Sequence, residues 1–409
     1  MSAKRGIDQV DSPAATEHHD AIILQEKMAA WVKTKGGQYL ENVRIGSSSV
    51  VDGGTGLFAS NTISSEPGII LKIPQACVMS EEIASKSFVG ENCRRVHGDS
   101  CSQDFMFLLY IANGRKNTLH PFHIYIASLP DSPVSAPWWS ESERELLKGT
   151  NLGLSIEAVR TTLSDEYDQF MPALQKEFPE IYGGFKLADL QLAHDNFFSR
   201  RFPVVLSPDL IQNESEFTVA RLGIMIPFID LTNHQEKTQI EWSGNSDFVS
   251  FRTISGVSKG QEIFNNYGAK SNEELLLLYG FANSHNDFDH FGLALTLGGE
   301  NTKTMRLGPF YVKRADERWP QFQNKLWLAL SDPVAYSINP NALVSDVPEI
   351  DPDDLMMLLH ILNQRLEPFK ILPVPAEGCN PLRVASILMY LTGQRVVLEE
   401  AIQTLEEML

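Results

Sequence analysis

Asn265, Asn266, Tyr267 and Gly268 join the end of a strand to the start of a helix in the stretch EIFNNYGAKSNEELLLLYGF, residues 262–281. Asn and Gly are what a turn requires, each for its own backbone reason. A phenol adds nothing to a turn, but its hydroxyl can donate or accept a hydrogen bond and orient a reacting group. Taken alone, Tyr267 reads better as a strand-end aromatic capping a core. Two other segments have spacings that chemistry could use. In GGTGLFAS, Gly53–Ser60, dense glycines let a backbone approach a ligand closely. The spacing is not G-x-G-x-x-G, and no P-loop Lys-Ser follows, so a tight turn between strands accounts for it too. In PFIDLTNHQ, Pro227–Gln235, the residues Asp230, Asn233 and His234 follow an apolar strand. They offer hydrogen bonds to a polar ligand, or ordinary turn chemistry. No Ser or Cys elbow accompanies His234, which leaves hydrolase chemistry with little support.

The elements that must hold these segments are legible in outline. Apolar positions from Ile22 to Val32 repeat with helical period and stop at Gly36-Gly37. Residues 38–80 change to short strands and turns: VRI, the turn VDGGTG, GLFAS and GIILKIP. Residues 81–200 read as mostly helical, and QIEW and FVSFRT flank SGNSD as a hairpin. Ser271 and Glu274 stand in capping-box spacing before a leucine run that ends at Gly280. FGLALTLG is one more strand candidate, and DPDDLMMLLHILNQRL carries acidic residues in its first turn. In VVLEEAIQTLEEML, Leu398, Ala401, Ile402, Leu405 and Met408 form one apolar stripe. Residues 1–20 are polar and aperiodic and read as disordered.

Composition narrows the classes. The 409 residues are 43% hydrophobic and 21% charged, enough for a sizeable core in two or three domains. A net charge of −18 argues against nucleic acid and suits a basic partner. The longest apolar run, Phe105–Ala112, is too short to span a bilayer, and residues 1–20 lack the apolar stretch of a signal peptide. Cys77, Cys93, Cys101 and Cys379 show no C-x-x-C spacing and read as reduced thiols of a cytoplasmic or nuclear protein. His97, between two of them in ENCRRVHGDSCSQ, reads as a loop residue rather than a ligand, and no metal is expected.

Together and in this order, the segments resemble one family. GGTGLFAS, FHIY followed by SLP, PWW, LAHDNFFSRRF, DLTNH and GQEIFNNYGAKSNEELLLLYGF are similar to the SET-domain methyltransferases. The likeness is to the branch that includes the Rubisco large-subunit methyltransferase and its fungal and animal relatives. It covers about residues 25–285, and DLTNH followed by GQEIFNNYG is its most specific part. The resemblance implies an α+β protein. Its β-rich SET fold, with short strands and a pseudoknot-like C-terminal segment, would span residues 21–290 with a helical insertion at about 81–215. An all-α substrate-binding domain would occupy 291–409.

The resemblance also implies roles. Gly54, Thr55, Gly56 and Leu57 would line S-adenosyl-L-methionine through backbone groups. Arg200 would pair with its carboxylate, with Arg201 the alternative if the alignment slips by one. Asp230, Asn233 and His234 would complete the cofactor site, the histidine mainly through its backbone, and Phe281 would pack against the adenine. Tyr267 matches the catalytic tyrosine, and Tyr279 would wall the substrate channel. The reaction implied is methyl transfer to a lysine of a protein substrate such as a ribosomal protein, histone or translation factor, by a monomer. Leu192 and His194-Asp195, and a PFHIYIASLP without the Ser-x-Trp lead, depart from the family and bear on pocket shape. A protein histidine or small-molecule amine as acceptor, and a non-catalytic SET-fold peptide-binding module, stay open.

Overall fold

The computed structural model describes residues 26–48, 54–210, 223–297, 305–313, 325–326 and 351–409. The segment expected to be disordered (1–20), Ile22–Leu24 of the first apolar stripe, and Val51–Gly53 of the glycine turn lie outside the described residues. The chain divides into two compact units. One comprises Met1–Pro133 and Leu163–Tyr267, the other Val134–Thr162 and Gly268–Leu409.

Among its described residues, the first unit holds three small antiparallel sheets. Strands β1 (Val43–Ser47), β2 (Thr55–Ala59), β3 (Ile69–Pro74) and β4 (Met79–Ser80) come first, and then β5 (Arg201–Phe202) and β6 (Ile224–Met225). The hairpin β7 (Ile240–Gly244) and β8 (Phe248–Thr253) and the short β9 (Glu262–Ile263) complete the set. The sheet orders are β1-β2-β9, β3-β8-β7 and β4-β6-β5. In β8, Val249, Phe251 and Thr253 are buried and their neighbours half-buried, the period-2 pattern of a strand with one face on a core.

The helices of this unit begin with α1, residues 26–34, which the apolar stripe anticipated. Next come α2 (Glu81–Lys86), α3 (Phe88–His97), α4 (Gln103–Lys116) and α5 (His123–Ile126). The apolar run in α4 has every residue from Phe105 to Gly114 buried, as expected of a helix that is hydrophobic all round. Ser102 caps it by accepting from the Phe105 N–H at 3.0 Å. The loop expected around His97 is instead α3. Ser87 caps it, Val89, Gly90 and Cys93 are buried, and His97 Nε2 bonds to Phe170 O at 2.9 Å. Cys93 and Cys101 act there as small apolar residues, which is why the segment looked polar and loop-like.

In the second unit lie α6 (Glu141–Glu145) and the first part of α7 (Asn151–Glu177), whose remainder belongs to the first unit. The helices α8 (Pro179–Tyr182) and α9 (Leu187–Phe198) follow in the first unit. The second unit then adds α10 (Asn272–Tyr279), the antiparallel pair β10 (His290–Leu297) and β11 (Met305–Lys313), α11 (Pro352–Lys370) and α12 (Pro381–Glu406). Both ends of α10 are as anticipated. Ser271 and Glu274 form a full capping box, and Gly280 ends the helix at φ 78°. A Cβ on Gly280 would lie 2.1 Å from Val134 O, so glycine is required there twice over.

The unit boundary falls after Tyr267, earlier than residue 290. Leu276 of α10 and Phe291 and Leu293 of β10 share one core with Leu358 and Leu362 of α11 and Leu391, Leu398 and Leu405 of α12. Residues 134–162 of the expected insertion join the same core through Trp139, Leu147 and Ile156. The C-terminal region is helical with one strand pair added, and α12 ends at Glu406, leaving Met408 of the expected stripe 42% exposed. Among the described residues, no helix is long and apolar enough to cross a membrane.

Candidate methyl-transfer site

One short segment, residues 229–234, contacts Arg200, Thr55 and Tyr267 of the first unit. It begins beside a strained residue. Phe228 is 1% exposed and adopts φ 68°, a region uncommon for a bulky side chain and costing roughly 1–3 kcal/mol. Burial of its ring fixes the turn that sets Ile229–Leu231 as a 3-10 turn.

The first contact is with Arg200, just past α9. Its Nη1 donates to Asp230 O at 2.9 Å and lies 3.7 Å from Asp230 Oδ2. Tyr125 Oη donates to the same Oδ2 at 2.9 Å. The Asp230 side chain is only 1% exposed, and the partners it shows here are Arg200 and Tyr125. It is the buried counter-charge that holds Arg200 in place. Burial pushes its carboxyl up to about 6, against the pull of Arg200 and Tyr125. The guanidinium of Arg201 lies 4.7 Å over the Phe198 ring.

Asp230→Asn isolates the cost of that buried carboxylate. A carboxyl raised from 3.8 to about 6 stabilises the fold while its proton is on, and this contribution is lost as pH rises through about 6. The asparagine variant carries no such loss. Its melting temperature relative to the unmodified protein rises by roughly 2–4 °C between pH 4.5 and 7. A difference that stays flat over this range contradicts the assignment.

The second contact is with β2 and β9. Asn233 Nδ2 donates to Thr55 O at 3.1 Å and to Glu262 Oε1 at 2.7 Å. Ser48 Oγ donates to both oxygens of Glu262, at 2.8 and 3.0 Å. Leu57 is paired on both sides, to Ile45 and Ile263, and its side chain is fully buried. Thr55 and Gly56 pair with β1 and not with β9, and Ser48 N donates to Gly54 O at 2.9 Å, so it is the Gly54–Gly56 stretch rather than Leu57 that lies outside the β2–β9 ladder. A Cβ on Gly56 would lie 2.3 Å from Glu262 Oε1 and 3.2 Å from Asn233 Nδ2. Gly56→Ala should therefore push the carboxylate off Asn233, cost about 1–3 kcal/mol in a denaturant melt and weaken ligand binding along this stretch. Unchanged stability and binding would show that the close packing is not needed.

The third contact is with Tyr267. The chain after β9 runs against residues 233–235: Asn265 N donates to Asn233 O at 2.8 Å, and Gln235 N donates to Asn265 O at 2.9 Å. Asn265 is 2% exposed and is spent on this crossing. Tyr267 N donates to His234 Nδ1 at 3.1 Å, and the two rings lie 5.1 Å apart at 31°. A ring nitrogen that accepts a backbone N–H is unprotonated, and burial lowers the His234 pKa to the same effect. Tyr267 Oη donates to Thr232 O at 2.9 Å, which fixes the phenol at the segment that also holds Arg200 and Asn233. Its ring is half-buried, not sealed in a core.

Gly54–Gly56, Arg200, Asp230, Asn233, His234 and Tyr267 are thus linked through one segment of the first unit, while Tyr279 and Phe281 belong to the second. Those two rings are half-buried, with centroids 6.3 Å apart. Sequence reasoning missed Glu262, Ser48, Tyr125 and the Thr232 carbonyl. Glu262 sits inside the quoted motif but reads there as a strand end. Among the described residues, no cluster of His, Cys, Asp and Glu could hold a metal ion.

No family model matches the chain. Ribosomal lysine N-methyltransferase 1 of Saccharomyces cerevisiae is 26% identical over 269 residues, 56% of this chain and 44% of that protein. Ribosomal lysine N-methyltransferase set10 of Schizosaccharomyces pombe is 31% identical over 205 residues, 49% and 35% respectively. The chain spans less than half the length of these two relatives. N-lysine methyltransferase SETD6 of Bos taurus is 23% identical over 288 residues, 68% of this chain and 61% of that one. Among solved structures, the SET domain of LSMT bound to lysine and AdoHcy superposes with TM-score 0.72 at 19% identity, covering 95% of this chain and 91% of that one. Rubisco LSMT bound to AdoMet gives 0.71 at 18%, covering 94% and 92%. The fold is accordingly that of the LSMT SET-domain structures.

Proposed function

We propose that the protein is an S-adenosylmethionine-dependent protein-lysine N-methyltransferase. The observation that carries the reading is the convergence on residues 229–234 of an arginine, the Thr55 carbonyl of the glycine stretch and a tyrosine hydroxyl. The donor set fits the cofactor. Arg200 Nε is buried without a hydrogen-bond partner, and a cation with a donor to spare suits a carboxylate. Both acceptors around the Asn233 amide face its NH2, which leaves Oδ1 to accept from an ammonium. The backbone of Gly54–Gly56 and of His234 would hold the remainder. S-adenosylmethionine, when bound, supplies a methyl group on a sulfonium, transferable to an amine by in-line displacement.

The residues have little acid–base work in such a reaction; their task is alignment, worth about 7–11 kcal/mol for a well-oriented pair. Tyr267 is held on two sides, by its own N–H on His234 and its hydroxyl on Thr232 O, so its ring has one orientation. A neutral His234 adds no positive charge where an amine must arrive uncharged. The lysine, with an ordinary pKa of about 10.4, would lose its proton to water in a pocket that disfavours a second cation. The net charge of −18 suits a basic target such as a ribosomal protein, histone or translation factor, and two of the relatives are named for ribosomal lysine methylation.

Isothermal calorimetry tests the first half of the reading, with one S-adenosylmethionine bound per chain expected. No binding would favour a docking module instead. Cell extract incubated with the protein and methyl-labelled cofactor tests the second half, with label expected in protein. Label found only in small molecules would overturn the choice of substrate class.

A further inference from the structure

We propose that Glu262 is a positioning residue for the amino group of the cofactor's methionine moiety, acting through Asn233; this rests on the reading of the site as S-adenosylmethionine-binding. An asparagine amide has two faces of opposite character, and nothing in its own shape decides which one meets a ligand. Here the surroundings decide. A carboxylate and a carbonyl can only accept, and Glu262 Oε1 and Thr55 O lie 2.7 and 3.1 Å from Asn233 Nδ2. Both N–H bonds are thereby used on the protein, and Oδ1 is turned outward as an acceptor. Its complement is a donor, and the cofactor's α-ammonium is a donor of the right charge.

Glu262 is itself fixed. It stands on β9 opposite Phe58 of β2, receives Ser48 Oγ on both oxygens, and presses on Gly56, where any side chain would displace it. The carboxylate is half-buried, so its charge adds to the field at Oδ1. Thr55 O, at 3.1 Å, already favours the NH2 face, and Glu262, at 2.7 Å, holds the second N–H and narrows a terminal torsion that is otherwise broad for asparagine.

The test is calorimetric and needs no turnover. S-adenosylhomocysteine and its analogue lacking the α-amino group are titrated into the full chain and into Glu262→Ala. Affinity for S-adenosylhomocysteine should fall about 10-fold, the scale of one hydrogen bond to a charged group, while affinity for the desamino analogue stays within about twofold. Glu262→Gln keeps the volume and one acceptor, so its loss is smaller and again confined to the amino-bearing ligand. An equal loss for both ligands, or none for either, overturns the role, because a merely structural glutamate would not distinguish them. Should the unmodified protein bind neither ligand, it is the functional reading of the site that fails.

Discussion

Tyr267→Phe lowers methyl transfer by roughly 10²–10³-fold, the scale for removing one preorganised polar group from a reacting centre, and leaves S-adenosylmethionine affinity within about twofold. The hydroxyl donates to Thr232 O at 2.9 Å, whereas the groups assigned to the cofactor are Arg200, Asn233 and the Gly54–Gly56 stretch. The ring itself stays in place, because Tyr267 N still donates to His234 Nδ1. Removing the oxygen therefore loosens orientation at the reacting atoms without touching the binding groups, and the loss falls on kcat. Single-turnover rates and calorimetry on the same preparation separate the two quantities. A variant that transfers methyl at the unmodified rate removes Tyr267 from the reaction.

Arg200→Met should cost both binding and stability. The guanidinium fork is what a carboxylate needs, and losing a charge-assisted bond of this kind weakens S-adenosylmethionine by about 10–100-fold. The same change leaves Asp230 buried without its cation, and breaking such a pair costs about 3–5 kcal/mol when the remaining group stays ionised. Asp230 softens this by taking a proton, since its carboxyl already sits at about 6 with Arg200 present. The variant is therefore least impaired near pH 5 and progressively less stable toward pH 8, as thermal melts across that range would show. Arg200→Lys keeps the charge but not the fork, and should recover stability more fully than affinity. Affinity that survives in the methionine variant would place the cofactor's carboxylate elsewhere.

Local rules carried most of what could be read from the chain itself. The capping box at Ser271 and Glu274, the helix stop at Gly280 and the β7–β8 hairpin are set by neighbours in sequence, and they fold as their residues indicate. Where tertiary packing decides, the reading slipped. The segment 88–97 became a helix because Val89 and Cys93 face a core that polar Glu91, Asn92 and Arg94 conceal from a periodicity search. Asp230 looked like a ligand residue because an acid before Asn-His is polar; only its burial against Tyr125 and Arg200 gives it a structural task. Glu262 was hidden for the opposite reason. Its partners Ser48, Gly56 and Asn233 lie far from it in sequence, and no spacing rule connects a strand-end glutamate to an amide on another segment. The unit boundary at Tyr267 was likewise invisible, since it depends on α10 sharing a core with α11 and α12.

Mass spectrometry of extract proteins labelled in the presence of this protein, peptide by peptide, addresses the acceptor and the site together. The added methyl should sit on a lysine ε-nitrogen and be missing when Tyr267→Phe replaces the unmodified chain. A methyl on histidine, or the same lysine labelled equally by both proteins, would contradict the chemistry assigned to this fold.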